Sequence, residues 1–249
     1  MSRFLDLPLW IVILVLSLVA LFVLFMGGMI LVVLATCLWE KQRVRDFAPA
    51  TPDVLPPPSP YFRSMSEYAR VLGFQPGGLF GQDRQSSMYR CCLGLWLSPD
   101  GKSLLCIAGG KVARVNYKRT MLISKVSGET SIVTMDAFGS EDLSGTRDVE
   151  VLMNADLNEL NQLHQRRLAT ARVEPRPFSS DLLAEIEEWN RIRADRLVAR
   201  GLAKYIDPEH NTWRFTPKGA VLYTVKAQIS GLAKASAQRE RINITRPGG

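Results

Sequence analysis

Two histidines and four cysteines are the side chains best suited to chemistry in this sequence of 249 residues, and their spacing serves none. His164 falls on the apolar face of a predicted helix, where a hydrogen-bonded core histidine is the expected role. His210 sits beside Asn211 in a predicted turn and reads as exposed. Cys91 and Cys92 are adjacent, and neighbours in a strand point to opposite faces, so they cannot share one ion without a bulge. Cys106 returns near one of them across the turn Ser98-Pro99-Asp100-Gly101, and all three read as buried reduced thiols. Gly73-x-x-x-Gly77-Gly78 is followed by no Lys-Ser/Thr, so it is not a phosphate loop. No Gly-x-Ser-x-Gly and no His-Glu-x-x-His occurs. Glu185, Glu187 and Glu188 open a helix, where acids complement its dipole. No catalytic residue, cofactor or metal is therefore expected, and the chain reads as non-enzymatic.

The remaining chemistry is cationic. At 100° per residue Arg193, Arg196, Arg200 and Lys204 fall on the face that carries Leu182, Ile186 and Trp189. Either that helix breaks near Asn190 or its apolar face gives way to a basic one. Arg214 and Lys218 follow in a short strand and the helix start after it. The stretch Arg196-Leu197-Val198-Ala199-Arg200-Gly201-Leu202-Ala203, continued by Trp213-Arg214-Phe215-Thr216-Pro217-Lys218-Gly219-Ala220, resembles the back half of a winged-helix domain. The resemblance implies nucleic-acid contacts from Arg193, Arg196, Arg200 and Lys204, with Arg214 and Lys218 on the wing. The two helices that precede the recognition helix in that family have no counterpart here.

These groups need elements to hold them. The charge balance, 31 Lys+Arg against 24 Asp+Glu, is mildly basic and the chain is 47% hydrophobic, which excludes a wholly disordered protein. Leu9 to Trp39 contains no Asp, Glu, Lys, Arg or His. At about 1.5 Å per residue this run makes one helix long enough for a bilayer core of about 30 Å. It is too long for a signal-peptide core of about 7–15 residues. Trp10 and Trp39 bracket it, and Lys41, Arg43 and Arg45 follow. The positive-inside rule then places the N-terminus outside and the C-terminal bulk in the cytoplasm at the plasma (inner) membrane. Cys37 reads as a small lipid-tolerant residue rather than a lipoprotein site.

The expected organisation is an extracytoplasmic tail (1–8), a transmembrane helix (9–39), a basic and Pro-rich linker (40–60), an α+β cytosolic domain (61–172) and a helical C-terminal unit with a wing-like β-hairpin and a frayed tail (173–249). Six prolines in 49–60 make an extended spacer. Ser66 to Leu72 predicts a short helix, and 73–87 a glycine-rich loop. Met88 to Asp136 predicts an antiparallel meander of about five strands. Val149 to Met153 predicts a short strand. Asp156 and Glu159 form a capping-box pair for the helix bearing Leu157, Leu160 and His164. The fold class is thus α+β, with the meander packed against helices. The whole layout resembles single-pass membrane-anchored bacterial proteins for which no activity is established. It implies an interaction protein whose partners are a lipid bilayer and an unknown protein or a second copy. A membrane-tethered nucleic-acid-binding regulator is the alternative.

Overall fold

The computed structural model describes residues 9–44, 47–49, 59–82, 89–112, 115–127, 129–136, 142–209 and 211–230. The expectations for residues 1–8, Arg45, the prolines of 50–58, His210 and the tail from 231 lie outside them. In chain order the elements are α1 (Leu9–Trp39), β1 (Gln42–Arg43), β2 (Phe47–Pro49), α2 (Pro60–Val71) and β3 (Gln75–Gln82). Then come β4 (Tyr89–Leu97), β5 (Leu104–Val112), β6 (Val115–Ser127), β7 (Thr130–Asp136) and β8 (Arg147–Val151). The chain continues with α3 (Leu157–Ala171), α4 (Leu182–Ala199), β9 (Ala203–Asp207), β10 (Thr212–Phe215) and α5 (Pro217–Leu222), which runs on as a π-helix over Tyr223–Ser230.

Alternation along the strands builds the main layer. Strands β2 to β8 pair in chain order into one seven-stranded sheet, antiparallel except for β7 with β8. Leu93, Leu95, Leu104, Ile123 and Val133 point to one face, where Leu182 and Ile186 of α4 cover them. Cys92, Trp96, Leu105, Ile107 and Leu122 point to the other, beneath α2 (Phe62, Ala69) and α3 (Leu157, Leu160). Sheet and helices thus form three layers around two apolar cores, the α+β arrangement expected.

Local signals act where they stand. Ser98 O accepts from Gly101 N at 2.9 Å, and Gly101 takes φ +70°, closing the β4–β5 turn. Asp156 Oδ1 accepts from Glu159 N (2.8 Å) while Glu159 Oε2 accepts from Asp156 N (3.1 Å), a complete capping box. Asp156→Ala is expected to lower stability by about 1 kcal/mol, read as a shift of the urea midpoint at unchanged slope.

Of the segment 73–87 expected as a loop, residues 83–87 lie outside the described residues and Gln75–Gln82 is in fact strand β3. Its glycines mark close approach: a Cβ on Gly77 would lie 2.2 Å from Leu182 Cδ1. The part of the expected 40–60 linker that is described contains two short strands. β2 edges the large sheet, and β1 joins β10 and β9 in a separate three-stranded sheet.

The expected transmembrane helix is corrected. α1 is helical throughout, but among the described residues no helix is long and apolar enough to cross a membrane. The longest run of α1 with described side chains, Ile11 to Leu21, is 11 residues against about 20 required. The last turns of α1 are engaged by protein instead: Leu34, Cys37 and Leu38 pack on the core that holds Trp213, Phe215 and Tyr223. The membrane and single-pass assignment, the N-out orientation and the plasma-membrane localisation rested on that span and fall with it. Of its expected flanking residues, Trp39 is exposed, Lys41 is exposed just after the helix, and Arg43 belongs to β1. The side chain of Trp10 is not among those described.

α4 settles the register question near Asn190. It is one unbroken helix of 18 residues. Leu182 and Ile186 enter the core on the sheet, while Ala194 and Leu197 enter a separate core with Leu202, Trp213 and Phe215. Between Ile186 and Ala194 no side chain of α4 is fully buried, and the two cores part there.

Candidate functional site

The parting of the cores leaves a cavity of about 350 Å³. Its floor is the α4 face of the sheet, with Leu93, Ala108, Val133 and Met135, and its roof is Ile186 to Arg193 of α4. β6 and β8 place their alternate residues on this face, so Arg119 and Arg147 stand in the cavity wall opposite Arg193.

Asp142 is the fixed anion of the site. Its side chain is 2% exposed. The backbone N–H groups of Ser144 (3.1 Å), Thr146 (2.7 Å) and Arg147 (3.0 Å) donate to it, as does the Ser144 hydroxyl. Burial alone would raise this carboxyl, but the Ser144 hydroxyl and the guanidiniums of Arg193 and Arg147 hold it below the usual carboxylate range. Those local donors occupy the carboxylate, so Arg193 Nε stays 3.8 Å from Oδ1.

Arg147 lies with its guanidinium 3.4 Å from the centroid of the Trp189 ring. Trp189 is itself anchored, its Nε1 donating to Ser131 Oγ at 2.8 Å. Arg147 Nη2 donates to Asn190 Oδ1 at 3.4 Å, and Asn190 Nδ2 donates to Val44 O at 3.4 Å. Burial, with Arg193 and Arg119 nearby, pulls the Arg147 guanidinium well below its ordinary value. The Nε atoms of Arg147 and Arg193 are shut off from solvent and have no hydrogen-bond partner among the described residues. A guanidinium presents five N–H donors, so both carry donors in excess of acceptors.

The basic residues expected to face nucleic acid divide into two sets. Arg193 turns into the cavity, 5.8 Å from the centre of the Trp213 ring. Arg196 pairs with Glu129, its Nε donating to Oε2 at 2.8 Å, and Arg200 Nη1 donates to Leu143 O at 2.7 Å. Lys204 and Arg214 are directly opposed on β9 and β10, and Lys218 is exposed in the first turn of α5. The helix face therefore addresses the protein's own sheet unit. Arg119 and Arg147 carried no sequence signal, because the α4 residues that share the cavity with them lie dozens of residues away, and Asp142 carried none because its donors are mostly backbone N–H groups.

The other reactive side chains are structural. His164 is fully buried, with Nε2 3.0 Å from Ser124 Oγ and Nδ1 3.0 Å from Thr134 Oγ1. Burial and the neighbouring Arg167 push its pKa down to about 3. Burial pushes Cys106 up to about 12, and burial with the adjacent Cys92 pushes Cys91 up to about 11. Such thiols are poor nucleophiles. Among the described residues no group of His, Cys, Asp and Glu could hold a metal ion. No family model, curated protein or solved structure matches the chain.

Proposed function

We propose that the chain is a non-enzymatic interaction protein that takes an anionic group into the cavity between the sheet core under α4 and the core that holds Trp213 and Phe215. The observation that carries this reading is the pair of buried Nε donors of Arg147 and Arg193, neither with a hydrogen-bond partner among the described residues, beside a cavity. A buried donor without a partner costs about 1–3 kcal/mol, and more when charged. An entering carboxylate or similar anion satisfies both and offsets that cost. Arginine is the suited side chain because its planar fork binds such groups in two-point fashion and it has no acid–base role near neutral pH. The nucleic-acid alternative draws less support, since Arg193 turns into the cavity and Arg196 and Arg200 are engaged within the protein.

The test is side-chain NMR of the full chain with sodium acetate at constant ionic strength. The Nε–H resonances of Arg147 and Arg193 are expected to move with acetate, while that of Arg196, already paired with Glu129, stays in place. Equal movement of all three, or of none, overturns the proposal.

A further inference from the structure

We infer that the cavity accepts an amphiphilic monocarboxylate of about a dozen non-hydrogen atoms, its head on Arg147 and Arg193 and its tail against the sheet. This rests on the anion-binding reading above and narrows it to a ligand class.

Three features of the cavity converge on that class. The first is its two-sided lining. Leu93, Ala108, Val133, Met135 and Ile186 make one side of the wall apolar. Water needs two to four polar partners to occupy such a space, and this side offers none. An inorganic anion would satisfy the guanidiniums and leave the apolar side empty. A ligand with a tail meets both.

The second is charge. Arg147 and Arg193 share the one buried carboxylate among the described residues of the cavity wall, Asp142. Two guanidiniums against that carboxylate leave one positive charge, which a single carboxylate neutralises, whereas a phosphate dianion would reverse its sign in a site of low dielectric.

The third is size. At about 30 Å³ for each water-sized group, 350 Å³ holds about twelve of them. Decanoate has that many non-hydrogen atoms. The volume lies at the small end of ligand pockets, which excludes a nucleotide or a two-chain lipid.

The experiment is calorimetric titration of the full chain with decanoate, decanamide, butyrate and inorganic phosphate. Decanoate is expected to bind at least tenfold more tightly than each of the others. Arg193→Met should weaken decanoate tenfold or more and leave decanamide unchanged. Val149→Trp, which fills the cavity from the edge strand, should weaken both. Decanamide binding as tightly as decanoate, or decanoate binding unmoved by Arg193→Met and Val149→Trp, overturns the inference, the latter because the ligand then sits elsewhere. If butyrate or phosphate matches decanoate and Arg193→Met weakens it, the anion site stands and the amphiphile class fails. If no anion binds and the acetate titration is also silent, both fail.

Discussion

Gly219→Ala is expected to disrupt the packing of the C-terminal unit, at a cost of about 4 kcal/mol or more. A Cβ at this position would lie 1.8 Å from the Leu202 carbonyl oxygen and 2.7 Å from its carbon. Both are backbone atoms, so no rotamer change relieves the overlap. Nor can the carbonyl swing aside. Leu202 O accepts from Thr216 N at 3.0 Å, and Thr216 Oγ1 in turn donates to Gly201 O at 2.9 Å, locking the end of α4 to the start of α5. Thr216 also caps α5 by accepting from Gly219 N at 3.2 Å. Gly101→Ala provides the contrast: nothing lies within 4 Å of its Cβ, and only its φ of +70° opposes the change, at about 1 kcal/mol. Urea titrations followed by tryptophan fluorescence measure both. A Gly219→Ala protein within 1 kcal/mol of the parent would show that α5 can retreat from Leu202.

The second large effect is a loss of stability in mild acid that traces to one side chain. Folded His164 takes up its proton only near pH 3, whereas in the unfolded chain it does so near 6.5. Between those values the unfolded state binds the extra proton. The stability it confers is therefore complete above about pH 6.5 and falls by about 1.4 kcal/mol per pH unit as the pH drops towards 3. His164→Gln keeps a polar side chain at the site and cannot be protonated. Its unfolding free energy from urea titration should fall less steeply between pH 6.5 and 4.5, by about 2.5 kcal/mol of cumulative difference. The carboxylates titrate in both proteins and cancel. Parallel curves would show that the imidazole reaches solvent.

What could be read in advance follows the range of the forces involved. The Ser98–Gly101 turn, the Asp156–Glu159 cap and the apolar face of α3 act within a few residues, and each stands where its residues place it. β3 was hidden because Gly77 and Gly78 signal a loop in sequence. In space Gly77 is the thin spot that admits Leu182. The apolar run of α1 signals a bilayer because hydropathy records greasiness and not where each residue lies: Leu34, Cys37 and Leu38 pack partly buried on protein, while Ile13 to Leu16 are exposed. The cavity was illegible for the same reason. Arg119 and Arg147 become neighbours of Arg193 only when β6 and β8 share a sheet face and α4 lies across it.

α4 is a tie rod seated in two hydrophobic cores at once. A boundary drawn at residue 172 would strip the seven-stranded sheet of the helix that roofs one side of it. The same cut would part β1 from β10, its antiparallel neighbour in the small sheet. Neither piece would be self-sufficient. Heat or denaturant should melt the two cores together, and a protease nick in the 172–181 connection should leave the halves clasped rather than released.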